Sequence, residues 1–364
     1  MANSLSDQQP LNLEEVLLEK TAQTWDEYNA RFSGRRSGLF WYDLPQIQQR
    51  QNMKVSGNDD VDWTQYTISN FLDEQIPLEA CLSLGCGSGH LERKLARMGV
   101  FKHCDAYDVA PGSIADAQRL ASEELIQNIN YQVTDINRID LPSCTYDAVW
   151  VHSAFHHFEA LEHICAELRK ALKKDGLLIL NEYVGPNRFQ FPIRQKKAIN
   201  HCLGLLPTRY RTRLIESVEI ELDRSMKHKG VDWVLSRALD KVRDGDLLNV
   251  IRRRARAYLA KHAEPQEKIE VIFPSVRDVI VADPSEAIRS QDILRILSQT
   301  FDIIEQTDLG GNILQFLLAD IAGNFADGSE ESLALLTMLF TIEDALLNTG
   351  ELASDFAYIV ARPK

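Results

Sequence analysis

The chain has 364 residues, of which 45% are hydrophobic and 26% are charged, an ordinary composition for a folded protein with a sizeable core. It contains no run of 18 apolar residues, which excludes a membrane-spanning helix, and the polar start "MANSLSDQQP" predicts no secretory signal. The six cysteines show no CxxC spacing. We therefore expect reduced thiols, no metal site and a cytoplasmic location.

The net charge of −13 is distributed unevenly, since residues 186–262 carry 18 Lys and Arg against 8 Asp and Glu. Three interpretations of this basic segment stay open: a solvated helical face, a surface that recruits an anionic substrate, or peripheral contact with anionic lipid. Binding to RNA is disfavoured, because the whole chain is acidic and the segment lacks interleaved aromatic residues. The oligomeric state cannot be predicted.

Two helices are predicted in the N-terminal part, from Leu11 to Phe32 and over residues 63–76. Strand and helix patterns then alternate as far as Tyr183. Helices are predicted over residues 89–98, 112–125 and 159–173, and strands in "ACLSLG", "HCDAYDV", "INYQVTD", "YDAVWVHS" and "LLILNEY". This alternation predicts the α/β class, with a Rossmann-like, doubly wound and mostly parallel sheet that has helices on both faces.

The pattern changes after Tyr183. Residues 186–300 are predicted to be mostly helical and to form a basic insertion or lid. The remaining elements are predicted as a strand "FDIIEQTDL", a helix in "GGNILQFLLADIAGNF", a helix over 331–347 and an antiparallel last strand "DFAYIVAR". The sequence therefore predicts four parts. Residues 1–76 form a helical segment that helps to cover the active site, and residues 77–185 form a ligand-binding core. Residues 186–300 form the insertion, and residues 301–364 complete the sheet.

A glycine-rich loop follows the first strand of the alternating region, in "LSLGCGSGHLERKL" at residues 82–95. Its glycines stand at positions 85, 87 and 89, and His90 occupies the place of the last glycine in a dinucleotide fingerprint. By itself, G-x-G-x-G also fits an ordinary turn between a strand and a helix. The stretch resembles the first motif of the class I S-adenosylmethionine-dependent methyltransferases.

Residues beyond the loop extend this resemblance. Asp108 ends the second predicted strand, 23 residues after Gly85, where a carboxylate can accept hydrogen bonds from ribose hydroxyls. The resemblance implies that Asp135, in "VTDI", contacts the adenine amino group of S-adenosylmethionine. The cofactor-binding residues expected on this basis are Ser83, Gly85, Cys86, Gly87, Gly89, Asp108, Val109, Asp135, Ile136 and His152.

Ser83 departs from the resembled family, which usually has an acid two residues before the first glycine. In that family the acid contacts the amino group of the cofactor directly or through water. A serine hydroxyl can still form a hydrogen bond, but the charge pairing is lost. We therefore expect a lower cofactor affinity, or a contact supplied by another acid.

A narrower resemblance covers nearly the whole chain. It rests on "DVDWTQYTISNFL", "NEYVGPNRFQF", "LPTRYR", "ADPSEAIRS", "LGGNILQFLLADIAGNF" and "SDFAYIVAR", which are similar to a bacterial methyltransferase group often found among polysaccharide and glycosyltransferase genes. The segment from about 222 to 271 is longer than is usual in that group. The resemblance implies a glycan-type substrate only weakly.

Methyl transfer requires a positioned nucleophile and, for a hydroxyl or protonated amine, a group that takes its proton. His156 and His157 follow the fourth strand and suit this role. We favour His156, because Phe158 is expected to pack and His157 adjoins it. The alternative is that one of the two histidines packs or caps, and His152 is expected near the cofactor.

A dense polar cluster, "NEYVGPNRFQ", follows the fifth strand and either contacts the substrate or organises a turn. The segment "DPSEAIRS" has the pattern of a helix start at Asp283, and its Arg289 could close over a substrate. The catalytic candidates are thus His156, His157, Glu182 and Tyr183. The substrate-binding candidates are Tyr183, Asn187, Arg188 and Arg289.

The sequence therefore predicts an enzyme that transfers a methyl group from S-adenosylmethionine to oxygen or nitrogen of a small molecule or a glycan-type intermediate. An anionic substrate is one of the interpretations of the basic segment that stay open. Two alternatives stay open. One is methylation of tRNA or protein. The other is a catalytically silent scaffold that binds the cofactor, which Ser83 favours.

Overall fold

The computed structural model describes residues 16–24, 39–214 and 266–364, and a seven-stranded sheet forms its centre. The strands are β1 (Leu78–Leu84), β2 (Phe101–Asp108), β3 (Ile129–Val133), β4 (Tyr146–His152), β5 (Leu172–Tyr183), β6 (Phe301–Gly310) and β7 (Phe356–Pro363). Their spatial order is β3-β2-β1-β4-β5-β7-β6. Strands β1 to β5 pair in parallel, whereas β7 runs antiparallel to both β5 and β6. The predicted Rossmann-like sheet with an antiparallel last strand is confirmed.

The helices connect and cover the strands. They are α1 (Pro45–Ser56), α2 (Trp63–Thr67), α3 (His90–Arg97), α4 (Pro111–Glu123), α5 (Leu161–Ala171), α6 (Ile193–Leu205), α7 (Val276–Ala282), α8 (Ile293–Thr300), α9 (Leu314–Leu318) and α10 (Glu330–Asn348). Residues 16–24 are also helical. Of the helices within these described ranges, none combines the length and the apolar character that crossing a membrane would require.

The central strands are buried on both faces, because successive side chains of a strand point to opposite sides. In β4, Val149 and Val151 pack in one core with the apolar side of α5. Ala148 and Trp150 point the other way and pack in a second core that includes Trp63. The sheet is thereby held between two layers, as in a doubly wound fold.

A third core lies outside the sheet. Trp41, Leu44 and Ile47, from the start of the described N-terminal part, pack with apolar residues of α6, α9 and α10. Helix α8, which the sequence placed in the insertion, packs through Ile293 and Leu297 in the same core as α5 and β5. The N-terminal residues 39–56 are thus joined to the C-terminal part of the chain.

Two local predictions were wrong. The helix predicted in "GGNILQFLLADIAGNF" is the short α9 followed by a 3₁₀ turn at Ala322–Phe325, because Asp320 between them adopts a left-handed φ of 65°. Residues 284–289 form turns and no helix. By contrast, the helix predicted over 63–76 forms over residues 63–75, where its geometry changes from α to π and then to 3₁₀.

Much of the basic insertion, including its cluster at Arg252–Arg256, lies outside the described residues, as does most of the predicted helix from Leu11 to Phe32. The described parts of 186–300 contain α6, α7, α8 and short 3₁₀ turns. The division of the chain into four parts stays a prediction.

Candidate active site

The glycine loop is attached to the neighbouring strand by its backbone. The amides of Gly85 and Cys86 both donate to the carbonyl of Tyr107, at 2.7 and 3.1 Å. Gly87 adopts a φ of +51°, and a Cβ built there would have no heavy atom within 4 Å. At Gly89 a Cβ would lie 2.3 Å from the hydroxyl of Tyr131. The loop is therefore tightly packed at one end and open at Gly87, where a ligand can approach the backbone.

Asp108 closes the loop from the end of β2. Its Oδ2 accepts the amide hydrogen of Gly87 at 2.8 Å, and its Oδ1 accepts that of Ala110 at 2.9 Å. The side chain therefore ties the loop to the carboxyl end of β2, and its contact with ribose stays a prediction. The following Val109 is half-buried.

Asp135 lies just past β3, at the same edge of the sheet. Its side chain accepts the amide hydrogen of Asn137 at 3.0 Å and so caps the 3₁₀ turn Ile136–Arg138. Ile136 is buried, whereas Asp135 is half-buried. The structure thus brings both residues to the carboxyl edge that also holds the glycine loop and Asp108, and their contact with the cofactor stays a prediction.

Ser83 points to a buried acid that the sequence did not single out. Its hydroxyl donates to Oε1 of Glu92, in the first turn of α3. Burial raises the pKa of Glu92 to about 7. Oε2 of Glu92 has no hydrogen-bond partner in the described part of the chain. An acid therefore stands beside the position where the resemblance expects one, carried by the helix instead of the strand.

His152 ends β4, and Trp63 packs on it with ring centroids 5.4 Å apart. Burial lowers the pKa of His152 to about 4, so the imidazole is neutral at pH 7. Trp63 begins α2, so the N-terminal part of the chain reaches the carboxyl end of β4.

His156 lies in the 3₁₀ turn Phe155–His157 after β4, and its Nδ1 donates to Oε1 of Glu182 on β5. Glu182 is fully buried, and its Oε2 accepts the amides of Ala154 and Phe155 at 2.9 and 2.6 Å. Burial alone disfavours the imidazolium. The carboxylate of Glu182 outweighs burial, with smaller contributions from Glu286 and Asp283, so the pKa of His156 is raised.

His157 is held separately from His156. Its Nδ1 lies 3.0 Å from Oγ of Ser285, which donates to Oδ1 of Asp283 at 2.7 Å. Burial and the neighbouring His156 hold the pKa of His157 well below its usual range. The two adjacent histidines are therefore oriented by different partners, and both are brought to one site.

Glu286 completes this cluster, and sequence reasoning missed its role. Its Oε1 lies 3.6 Å from Nε2 of His156, and burial raises its pKa to about 7. The sequence predicted a helix start here, but Asp283 accepts from the amide of Ser285 within a turn. The available signal was the density of acids and hydroxyls in "DPSEAIRS".

The other predicted residues are engaged with the protein itself. The hydroxyl of Tyr183 donates to the carbonyl of Pro186 at 3.0 Å, and Oδ1 of Asn187 accepts the amide of Gln291. Arg188 donates to the backbone carbonyl of Glu286, so it lies beside the cluster. Arg289 binds the carboxylate of Glu162 through both Nη atoms at 2.7 Å. Asn187 and Arg289 thus fasten the 283–292 segment to its neighbours.

Comparison with known proteins agrees with this geometry. Residues 82–180 match the family model described as "Methyltransferase domain", a span that runs from β1 into β5 and contains the loop, Asp108, Asp135 and both histidines. The chain is similar to the malonyl-[acyl-carrier protein] O-methyltransferase of Bacillus cereus, with 29% identity over 109 residues. It is also similar to the uncharacterized methyltransferase YcgJ of Bacillus subtilis, with 26% identity over 105 residues.

These matches are partial. They cover 30% and 29% of this chain, which spans 39% and 41% of the length of the two relatives. Among solved structures, the [4+2]-cyclase SpnF matches with a TM-score of 0.40 and 14% identity, over 81% of this chain and 80% of that chain. Residues 82–180 are thus similar to a methyltransferase domain, and they lie within the mostly parallel part of the sheet.

Proposed function

We propose that the chain is an S-adenosylmethionine-dependent methyltransferase that acts on oxygen or nitrogen of a small-molecule or glycan-type intermediate. The observation that carries this proposal is the contact between the glycine loop and the turn that bears the histidines. A Cβ on Gly85 would lie 2.3 Å from the Cβ of Ala154, two residues before His156. Ligand-binding and proton-transfer groups are therefore adjacent at the carboxyl edge of the sheet, where open α/β sheets bind ligands.

The residues at this edge fit the proposed cofactor. The side of Gly87 is open to a ligand, and Asp108 holds a carboxylate against the loop at the end of β2. Asp135 holds a carboxylate at the end of β3, and Glu92 supplies a buried acid next to Ser83. When bound, S-adenosylmethionine supplies a methyl group that its sulfonium has already activated.

The chain then has to position an acceptor and take its proton. Glu182 holds Nδ1 of His156, so Nε2 is the atom that faces Glu286. We assign His156 and Glu286 as the pair that receives the acceptor's proton, and Glu182 as the residue that orients the imidazole. His157 is fixed through Nδ1 on the adjoining side of the same cluster.

The acceptor is proposed to be anionic. Arg188 lies beside the cluster, and the wider segment from 186 to 262 has an excess of basic residues. The Bacillus cereus relative is named for O-methylation of a carrier-bound malonyl group, which makes oxygen the first acceptor atom to test. Methylation of nitrogen and the scaffold function stay as alternatives.

Calorimetry and a transfer assay test the proposal. S-adenosylhomocysteine should bind with a Kd on the order of 1 μM, about −8 kcal/mol, whereas NAD should not bind. Labelled methyl groups should then pass from S-adenosylmethionine to an acceptor in a panel of carboxylic acids, alcohols and amines. Tighter binding of NAD would overturn the proposal. Binding of S-adenosylhomocysteine without any transfer would favour the scaffold.

A further inference from the structure

Two histidines and one carboxylate that are far apart in the sequence meet in the folded chain. One nitrogen each of His156 and His157 and one oxygen of Glu286 all lie within 4.8 Å of one another. His156 is buried, and the other two residues are half-buried. The turn after β4 supplies the histidines, and the 283–290 segment supplies Glu286, which is 129 residues from His157.

Each imidazole is oriented by a hydrogen bond at Nδ1. Glu182 accepts from His156, and Ser285, which is itself bound to Asp283, lies 3.0 Å from Nδ1 of His157. Such partners place the proton on Nδ1 and leave the lone pair on Nε2. The same arrangement is typical of histidines that ligate metals, where the outer partner fixes the tautomer and the ring orientation.

The charge balance also favours a cation at this point. Three carboxylates surround the histidines, those of Glu182, Asp283 and Glu286, and Arg188 is the nearby guanidinium. Glu182 is fully buried and Asp283 is 5% exposed. A buried excess of negative charge is costly unless it is paired or coordinates a metal.

We propose that His156, His157 and Glu286 bind a divalent transition-metal ion of the Zn²⁺ type, through the two Nε2 atoms and the carboxylate. Two nitrogen ligands and one oxygen ligand suit such an ion, and three protein ligands leave a coordination position open. Ligands about 2.0–2.2 Å from zinc in tetrahedral geometry lie about 3.4 Å apart. The distance of 3.6 Å between Nε2 of His156 and Oε1 of Glu286 needs little adjustment to reach this value.

The catalytic consequence rests on the proposed function. With the metal ion bound, His156 and Glu286 act as its ligands and do not receive the acceptor's proton. A hydroxyl of the acceptor would occupy the open coordination position of the ion. Its O–H proton passes to solvent water, because coordination lowers the pKa of a bound hydroxyl. An oxygen lone pair then forms the bond to the methyl carbon, and the carbon–sulfur bond electrons remain on sulfur as the thioether.

Titration of the full-length, tag-free and chelator-treated chain with Zn²⁺ alone tests the site, with Co²⁺ absorption as a second readout. One ion should bind per chain, and Co²⁺ should show the visible spectrum of a low-coordinate nitrogen–oxygen site. Glu182→Gln removes no ligand but changes the partner of His156 and of the turn after β4, and it should weaken binding about 10–100-fold. Glu286→Gln and His157→Ala should weaken binding further, whereas His103→Ala, on an exposed part of β2, should not.

Absence of stoichiometric binding by the wild-type chain would overturn the site, and so would unchanged affinity in both Glu286→Gln and His157→Ala. Circular dichroism checks that each variant folds, and His157→Gln replaces His157→Ala if the latter does not. Binding of S-adenosylhomocysteine is measured on the same samples. If the chain binds metal but not S-adenosylhomocysteine, the proposed function is contradicted and the metal site is still supported. If the chain binds S-adenosylhomocysteine but no metal, only the metal site is contradicted.

Discussion

The buried carboxylate of Glu182 accepts the Nδ1 hydrogen of His156 and, through its other oxygen, the amide hydrogens of Ala154 and Phe155. A single side chain on β5 thus fixes both the turn that follows β4 and the orientation of the histidine in that turn. The amide of Tyr183 also donates to Glu182, so both oxygens are surrounded by donors. The position of His156 therefore depends on the side chain of residue 182.

Glu182→Gln should consequently cost both stability and activity. The amide NH₂ group of the glutamine would face backbone or imidazole N–H donors, so buried donors would be left without an acceptor. We expect the unfolding free energy to fall by about 1–3 kcal/mol. Urea denaturation measures this loss. The matched control is Glu123→Gln on the exposed surface of α4, where the change should stay within about 0.5 kcal/mol. Equal effects of the two substitutions would show that the carboxylate at 182 holds nothing in place.

The fold could be predicted well because its strands are short apolar runs between clear turn signals. All seven predicted strands form, and β1 to β5 alternate with helices as their patterns indicated. The failures lie where tertiary contacts override local preference. In "GGNILQFLLADIAGNF" the helical spacing is real, but Leu317, Leu318 and Ile321 are all buried in one core, and a left-handed Asp320 makes the bend that this packing requires.

The candidate site could be predicted only in part, for a related reason. The loop, Asp108 and the histidines follow successive strands, so parallel pairing alone brings them to one edge of the sheet. Glu286 reaches His156 through the placement of a distant segment, which no local pattern encodes. Glu92 was within reach of prediction, since it lies nine residues after Ser83 across a single strand–loop–helix unit.

Gly87→Ala should weaken binding of S-adenosylhomocysteine while changing stability modestly. A left-handed φ of +51° costs an alanine roughly 1–2 kcal/mol, and its Cβ would enter the open face of the loop. Gly57→Ala is the matched control, since Gly57 has a φ of +73° and equally open surroundings after α1. Calorimetry and urea denaturation of both variants separate strain from ligand exclusion. Similar affinity losses in the two would mean that the loop's open face does not receive the ligand.

His156→Ala should lower kcat by about 10²–10⁴-fold while binding of S-adenosylhomocysteine stays nearly unchanged, because the imidazole serves the acceptor, as a base or as a ligand of the proposed metal ion, and not the cofactor. Initial rates with the identified acceptor measure the effect. His163→Ala, on the exposed side of α5, serves as the histidine control and should retain full activity. If His157→Ala abolishes turnover and His156→Ala does not, the assignment moves to the second histidine.

Glu92 should make the unfolding free energy of the chain depend on pH, and the substitution Glu92→Gln should remove this dependence. Its pKa is raised from 4.5 to about 7 by burial, so between these values the folded chain binds more protons than the unfolded chain. The unfolding free energy contributed by this residue therefore falls as pH rises from about 4.5 to 7, and then levels. As pH rises through this range, the unfolding free energy of Glu92→Gln should increase by up to about 3 kcal/mol relative to that of the wild type. Urea denaturation at pH 5, 6, 7 and 8 measures the difference in unfolding free energy between the variant and the wild type. A difference that does not change with pH would contradict the raised pKa of Glu92.

The same carboxylate should determine how the chain binds the amino-acid part of the cofactor. Its Oε1 accepts from Ser83, and its Oε2 has no hydrogen-bond partner among the described residues, so an ammonium group that reaches Oε2 would gain a charge-assisted hydrogen bond. Glu92→Gln should weaken binding of S-adenosylhomocysteine by about 1.5–3 kcal/mol, roughly 10–100-fold. Binding of 5′-methylthioadenosine, which lacks the amino acid, should not change. The double variant Ser83→Asp, Glu92→Gln moves the acid from α3 to β1, and it should restore the affinity for S-adenosylhomocysteine. If both ligands weaken equally and the double variant recovers nothing, Glu92 supports the loop only by packing.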